Sequence, residues 1–273
     1  MSIIRKNLVF ILAVLTLSAI LLAGYFLPQA AKLSLKIAEA LGPRVLAAEF
    51  FLKTAEFLNF KDAKHNFYIG RWYHQAHRLR EAERFYKRAI ELDPKIANTH
   101  YQLARVYFIS GRFFSALNEI NKELEVNPRN HRSYYIKGLI LGYMDRFAEA
   151  EENFKTFLKS DAARQSSGWG GYVDLGWVLM RQKKYEEALW ILKEAEALFA
   201  PNTWVYNGLG AAYFTLGQYD LARDYYAKAL EGAKKMTVEE WLVAYPAHDP
   251  KTAEDGIKQI ISGIEKNLEL VKN

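Results

Sequence analysis

The stretch TWVYNGLGAAYFTLGQYDLARDYYAKALEGAKKM, residues 203–236, carries the pattern that decides the fold of the whole chain. Its small residues Gly210 and Ala222 each end a series whose members are 34, 34, 38 and 34 residues apart along the chain. The two series are Gly70, Ala104, Gly138, Gly176, Gly210 and Ala82, Ala116, Ala150, Ala188, Ala222. A third series of bulky residues keeps the same phase: Tyr86, Ile120, Phe154, Leu192 and Tyr226. A period of 34 residues predicts an array of stacked helical hairpins.

Each repeat can be divided into two helices and a turn. The small residues let the two helices of a hairpin approach closely, and the bulky residues fill the remaining space. Gly111 and Gly217 fall where the hairpin must turn, which suits a residue with positive φ. Pro94 and Pro128 are placed to end the second helices of the first two repeats. Because one hairpin cannot bury its apolar face alone, neighbouring hairpins are expected to stack.

This pattern resembles the tetratricopeptide repeat family. The resemblance rests on Ile69-Gly70, Leu103-Ala104, Leu175-Gly176 and Leu209-Gly210, and on the alanines that open each second helix. It covers five units, at residues 63–96, 97–130, 131–164, 169–202 and 203–236. Lys137 replaces an apolar residue of the family pattern, and Glu123 and Phe157 replace a small one. The resemblance implies an all-α solenoid of about five hairpins.

The N-terminus carries a different signal. Residues 8–26, LVFILAVLTLSAILLAGYF, contain no charge, and as a helix they would span about 28 Å, close to the ~30 Å core of a bilayer. Arg5 and Lys6 lie in the short basic tail at residues 1–7. A cleaved signal peptide is the rival interpretation, but no clean small-x-small site follows the span. We therefore expect a single-pass membrane protein anchored by residues 8–27. The positive-inside rule weakly favours a cytoplasmic N-terminus, with the repeats in the periplasm or at the cell exterior.

Two further segments flank the repeats. Residues 28–60 are predicted to form membrane-proximal apolar helices, interrupted at Gly42-Pro43, that meet lipid, the repeats or a partner. Residues 237–273 are predicted to form a short helix, a loop with Pro246 and Pro250, and a last amphipathic helix. The expected role of this tail is to cap the array, and docking into the array's own groove is the alternative.

Composition and motifs argue against catalysis. The 273 residues contain no cysteine, which excludes disulfides, thiolate metal sites and cysteine nucleophiles. His74 and His77 have a spacing possible for a metal pair but are interpreted as solvated turn histidines. Residues 166–172, SSGWGGY, lack the lysine of a phosphate loop and are interpreted as a flexible insert. We expect no enzyme, no cofactor and no metal site.

The resemblance also implies where a partner would bind, because the first helix of each tetratricopeptide hairpin lines the concave groove. Carried over to this chain, the candidate groove residues are Phe67, Arg71, Tyr101, Arg105, Phe108, Arg132, Tyr135, Tyr143, Trp177, Arg181, Trp204, Asn207 and Phe214. Every formally charged residue of this set is an arginine, although the whole chain carries a net charge of only +6. The alternative is that some of the aromatic residues only pack between hairpins.

These expectations lead to a functional hypothesis. The chain is predicted to be a membrane-anchored scaffold that binds an acidic and apolar protein or peptide segment and holds a membrane-associated complex together. The alternative is a structural subunit of an envelope, secretion or filament assembly, with the anchor and residues 28–60 permanently buried. Nucleic acid is not an expected partner, because the basic excess is mild and spread out.

Overall fold

A computed structural model describes residues 27–42, 46–58, 61–165, 168–245 and 250–271 of the chain, and all regular structure in these ranges is helical. The predicted membrane span at residues 8–26 lies outside the described residues. None of the helices in the described ranges combines the length and the apolar character that crossing a membrane requires.

The helices follow one another with short connections. In chain order they are α1 (Leu27–Leu41), α2 (Leu46–Leu58), α3 (Ala63–Gln75), α4 (Leu79–Leu92), α5 (Thr99–Ile109), α6 (Phe113–Val126), α7 (His131–Tyr143), α8 (Phe147–Leu158), α9 (Trp169–Arg181), α10 (Tyr185–Phe199), α11 (Thr203–Thr215), α12 (Tyr219–Lys235), α13 (Val238–Ala244) and α14 (Ala253–Leu270). Short 3-10 helices at Asp161–Arg164 and Pro250–Thr252 precede α9 and α14. The chain divides into two compact units, residues 1–106 and 107–273, and each is described by itself.

In the first unit, α1 and α2 form a hairpin that packs on α3. The Trp72 indole donates a hydrogen bond of 3.2 Å to the carbonyl of Ala38, and the His65 ring lies 3.0 Å from the carbonyl of Ala55. An ion pair of 2.6 Å joins Arg78, at the start of α4, to Glu49 of α2. The two helices therefore bury apolar residues mainly against each other and are joined to the first predicted repeat by these contacts.

The repeat series continues into this N-terminal hairpin. Ala48, Leu52 and Ala55 of α2 are fully buried. They lie 34 residues before Ala82, Tyr86 and Ala89, which are equally buried in α4. The hairpin α1–α2 therefore has the packing of a further repeat, although Leu35, seven residues before the positive-φ turn residue Gly42, stands where the other first helices have Gly or Ala.

In the second unit, the hairpins α7–α8, α9–α10 and α11–α12 stack in order around one apolar core. At Gly210 the ring of Tyr226 approaches so closely that a Cβ would lie 2.5 Å from Cδ1 of the ring. Where Phe157 replaces a small residue of the family pattern, Gly171 of the next hairpin provides the space, since a Cβ there would lie 2.5 Å from the Phe157 ring. Here the large residue, Phe157, lies on the earlier hairpin and the small residue, Gly171, lies on the next one.

The turns confirm the positive φ expected at Gly111 and Gly217, where φ is 71° and 74°. His77, Asp145 and Lys183 occupy the equivalent place in the other hairpins with φ of 58°, 57° and 62°. The left-handed turn is therefore a property of the hairpin, adopted also by residues that enter this conformation less readily than glycine.

A buried carboxylate links three helices of the second unit. Glu151 of α8 is 7% exposed and accepts hydrogen bonds from Lys155 at 2.5 Å and from Gln182 and Lys184 at 2.8 Å. Burial opposes its ionisation, but these hydrogen bonds prevail and lower its pKa to about 2. The cluster fixes the turn between α9 and α10 against α8.

The segments that flank the fourth and fifth predicted repeats are ordered by packing. Trp169 to Tyr172 form the first turn of α9, and Gly171 and Tyr172 are buried, so this part of the predicted flexible insert is helical. At the C-terminus α14 packs on α12, and its Ile264 joins the apolar core together with Val271. The last helix thus covers the second helix of the final hairpin.

We predict that Ala188→Leu destabilises the protein by roughly 1–3 kcal/mol, because it forces extra methylenes into a well-packed core. Ala188 is completely buried in α10, whereas Ala197 of the same helix is exposed. Ala197→Leu is therefore the matched control, with an expected effect within about 0.5 kcal/mol. Urea unfolding followed by circular dichroism measures both, and equal midpoints for the two variants would contradict the assigned packing.

Candidate functional site

The first helices of the second unit form one continuous surface. Helices α7, α9 and α11 contact each other in order, and we call their outward side the first-helix face. Of the predicted groove residues, the second unit contains Phe108, Arg132, Tyr135, Tyr143, Trp177, Arg181, Trp204, Asn207 and Phe214. The other four, Phe67, Arg71, Tyr101 and Arg105, belong to the first unit.

The predicted arginines of the first unit already have partners there. Arg71 forms an ion pair of 2.7 Å with Glu39 of α1, so its charge is compensated within the chain. The Arg105 guanidinium donates to Gln102 at 3.0 Å and lies 5.7 Å from the centre of the Tyr101 ring. Arg71 is thus neutralised by a carboxylate, whereas the partners of Arg105 are an uncharged amide and a ring.

Other predicted residues of the first unit have structural roles. Phe67 is half-buried, with its ring centre 5.9 Å from that of Tyr86. His74 is 8% exposed, contrary to the prediction of a solvated turn histidine. Burial, followed by the charges of Arg105 and His77, lowers the pKa of His74 to about 3. His74 is therefore a neutral packing residue at physiological pH.

A row of aromatic side chains crosses the ends of the first helices in the second unit. We call Phe108, Phe113, Tyr143, Phe147 and Trp177 the aromatic row. The ring centre of Tyr143 lies 5.2 Å from that of Phe108 and 6.4 Å from that of Trp177. Tyr143 at the middle is 60% exposed. The rings contact one another in series; the other four are half-buried, so Tyr143 presents the most open ring of the row.

Arg181 flanks this surface, whereas Arg132 lies at the opposite end of α7 from Tyr143. Arg181, the last residue of α9, stacks with its guanidinium 4.8 Å from the centre of the Phe147 ring. It also lies 3.4 Å from Asp145, and both side chains are more than half exposed. Arg132, the second residue of α7, is exposed. Exposed ion pairs contribute little to stability, so Arg181 can exchange Asp145 for another carboxylate at small cost.

A carboxyl group lies further along the same face. Tyr135 of α7 donates a hydrogen bond of 2.8 Å to Asp174 of α9. Burial raises the pKa of Asp174 to about 7, and the hydrogen bond from Tyr135 only partly opposes this effect. Asp174 is thus an acidic side chain that is close to half-protonated at neutral pH.

Beside Asp174 lies a cluster of large rings. The indoles of Trp169 and Trp204 stack with centres 4.6 Å apart and planes 18° apart. The Trp204 indole N–H donates to the hydroxyl of Tyr245 at 2.8 Å, and Tyr245 in turn packs on Trp241 with ring centres 4.5 Å apart. Tyr245 follows α13, so the C-terminal tail reaches the first-helix face with one side chain.

The remaining predicted residues of this face are partly buried. The ring of Phe214 lies 5.7 Å from that of Tyr219. The side-chain oxygen of Asn207 is buried and accepts no hydrogen bond from the described part of the chain.

Sequence reasoning missed Asp174 and Tyr245. Asp174 is the only acidic residue of α9, whose sequence is WGGYVDLGWVLMR, and an isolated carboxylate in an apolar helix was a usable signal. Tyr245 gave no such signal, because only the path of the chain after α12 brings it to Trp204. Within the described ranges, no group of three or more His, Asp or Glu side chains is placed to hold a metal ion.

Comparisons with known protein families agree with this architecture. A tetratricopeptide repeat model matches residues 171–235, and a model for the anaphase-promoting complex, cyclosome, subunit 3 matches residues 75–157. Neither match spans half of the chain. Among curated proteins none matches the sequence.

Solved structures are similar over a larger part of the chain. A tetratricopeptide repeat protein from Parabacteroides merdae is 19% identical with a TM-score of 0.65, covering 90% of this chain and 100% of its own. PilW, described as a type IV pilus biogenesis factor, is 18% identical with a TM-score of 0.59, over 77% of this chain and 98% of its own. YrrB, described as a TPR protein with an unusual peptide-binding site, is 19% identical with a TM-score of 0.54, over 66% and 91%. At this level of identity the similarity establishes a tetratricopeptide-type helical fold.

We predict that Asp174 makes stability fall as pH rises from about 4 to about 7. In this window the unfolded carboxyl is ionised while the folded one still binds its proton, so the folded state holds more protons. Asp174→Asn keeps a neutral group and should be more stable than the wild type near pH 8 by roughly 2–4 kcal/mol, at about 1.4 kcal/mol per pKa unit. Chemical unfolding across pH measures this, with Asp224→Asn on the exposed surface of α12 as control. Parallel stability profiles for the wild type and Asp174→Asn would contradict the prediction.

Proposed function

We propose that this protein is a membrane-anchored scaffold that binds a segment of another protein on the first-helix face of its second unit. The observation that carries the proposal is the aromatic row, whose central Tyr143 is 60% exposed within a connected series of rings. A fold of this type serves protein–protein interaction, and nothing in the described site arranges catalytic groups around a reacting centre.

The energetics of binding favour this surface. Interface energy concentrates in Trp, Tyr and Arg side chains that become fully desolvated. Trp177, Tyr143 and Arg181 provide all three types next to one another. Because their rings already pack together in the free protein, little side-chain entropy would be lost on binding.

The partner segment is proposed to be acidic and apolar. Arg132 and Arg181 can pair with its carboxylates, and a guanidinium does so with two parallel hydrogen bonds. Exposed ion pairs add little affinity, so the aromatic row would supply the affinity while the arginines set selectivity and the rate of encounter. YrrB, with its peptide-binding site, supports a peptide-like ligand by analogy of fold.

The membrane attachment is proposed from residues 8–27, which are apolar and follow a basic tail. The hairpin α1–α2 is partly used to cover α3, but Phe57 remains 82% exposed and Phe50 44% exposed. Two exposed aromatic residues on α2 suit contact with a membrane or with a membrane partner. We place the repeats outside the cytoplasm, in the periplasm or at the cell exterior.

A second candidate is a structural subunit of an envelope, secretion or filament assembly. The similarity in fold to PilW, a pilus biogenesis factor, favours it. In that case the chain would copurify with its assembly from mild detergent without crosslinking. A scaffold that binds its partner reversibly would instead lose that partner on dilution.

We predict that Trp177→Ala weakens binding of the partner by at least about 1 kcal/mol, or about fivefold in Kd. The partner is first recovered by affinity purification of the full-length, membrane-extracted chain. Trp190→Ala is the matched control, because Trp190 is 66% exposed on α10, the second helix of the same hairpin. Calorimetry then compares the two variants. Unchanged affinity for Trp177→Ala, or an equal loss for Trp190→Ala, would remove the first-helix face as the binding site.

We further predict that protease added to spheroplasts digests the repeats and leaves a small membrane-embedded fragment containing residues 8–27. The reason is that a short basic tail before a first span usually stays in the cytoplasm. Immunoblotting with an N-terminal tag follows the fragment, and a cytoplasmic protein serves as the control for intact cells. Protection of the repeats would reverse the orientation, and a mature N-terminus near residue 30 would exclude the anchor.

A further inference from the structure

We infer that the surface around Trp204 is a subsite for a tyrosine side chain, filled in the free protein by the chain's own Tyr245 and open to a tyrosine of the partner. The subsite lies on the same first-helix face as the aromatic row. The binding of a partner tyrosine at this subsite rests on the proposed function, whereas the binding of a phenol there can be tested without any partner.

Tyr245 contacts Trp204 as a bound phenol would. Its hydroxyl accepts the Trp204 indole N–H at 2.8 Å, and its ring meets the Trp204 indole at a centre distance of 5.9 Å and an angle of 66°. Trp169 supports the other side of this indole by stacking at 4.6 Å. A hydrogen bond at the hydroxyl and edge-to-face contact with the ring together recognise a phenol.

The charged and polar groups near Tyr245 restrict which side chains the subsite can bind. Burial raises the pKa of Tyr245; the Trp204 hydrogen bond lowers it, while the negative charge of Asp174 and the phenol of Tyr143 raise it further. A neutral hydroxyl is therefore favoured, and a phosphorylated tyrosine would place negative charge close to Asp174. Phenylalanine would fill the space but would offer no acceptor to the Trp204 N–H, which is half-buried.

Exchange of tyrosines requires little rearrangement of the tail. Trp241 is anchored independently, because a Cβ on Gly256 of α14 would lie only 2.3 Å from its indole. The start of α13 is fixed by a capping box between Thr237 and Glu240. The backbone N–H of Tyr245 donates to the Trp241 carbonyl at 2.8 Å, so its side chain would leave Trp204 by a change of rotamer that also gives up the ring contact with Trp241 but keeps this backbone bond. A partner tyrosine would then occupy the vacated position.

The first test uses Tyr245→Ala in the full-length protein, with p-cresol, toluene and p-cresyl phosphate as probes. Removal of the side chain leaves a phenol-shaped space, so p-cresol should raise the melting temperature of this variant and change its tryptophan fluorescence. We expect p-cresol to bind at least threefold more tightly than toluene, and p-cresyl phosphate to bind at least tenfold more weakly than p-cresol. Wild type and Tyr245→Phe, in which the ring is retained, are the controls and should not respond.

A second variant isolates the indole N–H. The double variant Trp204→Phe/Tyr245→Ala should lose the preference for p-cresol over toluene while it remains folded by circular dichroism. Equal binding of p-cresol and toluene to Tyr245→Ala, an equal response of the wild type, or no response of Tyr245→Ala would each overturn the subsite.

Binding of the partner at the subsite is tested by a separate affinity measurement. Tyr245→Ala should bind the partner recovered with the full-length chain at least threefold more tightly than the wild type, because no internal tyrosine must be displaced. Unchanged or weaker binding, with a normal p-cresol response, would overturn the partner assignment and leave the proposed function to the Trp177 test. Loss of binding in Trp177→Ala together with failure of the p-cresol test would retain the proposed function and exclude the subsite.

Discussion

The contact on which the rest of the structure depends is made inside each hairpin, between a small residue of the first helix and a bulky residue sixteen positions later. At Gly70 a Cβ would lie 2.8 Å from the Tyr86 ring, and at Gly210 it would lie 2.5 Å from the Tyr226 ring. The two helices of each of these hairpins are joined by only three residues, so the chain reverses within a short turn whose middle residue has positive φ even at His77, Asp145 and Lys183. Because close packing does not tolerate an added volume, each exception has its compensation, as Phe157 has in Gly171.

This contact uses only one side of each first helix, so the opposite side can carry side chains that bind other molecules. The buried side of α9 is fixed by Gly176 against Leu192, and its other side presents Asp174, Trp177 and Arg181. In the second unit these side chains form two regions of different character: an exposed aromatic row with Arg181, and a partly buried cluster with a protonatable carboxyl and stacked indoles. A rigid support with a variable outer side suits a scaffold, because recognition can change without altering the packing.

The sequence predicted this fold in detail because the packing is local. A contact sixteen residues apart within one hairpin leaves its trace at a fixed period, so the glycine, alanine and bulky series were visible without any structure. The same reasoning did not extend to α1–α2, where Leu35 stands in the place of the glycine and the apolar residues resembled a membrane-proximal segment. His74 was misinterpreted for a related reason: the end of a helix is usually solvated, yet His74 packs beside the Tyr86 ring and is buried.

The residues of the candidate site also fall into two groups, those predicted from the sequence and those placed only by the tertiary structure. The sequence by itself determined which residues lie on the first helices, and hence that Tyr143, Trp177, Arg181 and Trp204 share a face, because helical periodicity and the 34-residue repeat fix both the side and the height of each residue. Only the tertiary structure decided that Arg71 is neutralised by Glu39, that Asp174 accepts a hydrogen bond from Tyr135, and that Tyr245 contacts Trp204. These contacts join residues 32, 39 and 41 positions apart. Their formation depends on how one hairpin stacks on the next and on the path of the tail, which no periodicity within a single repeat records.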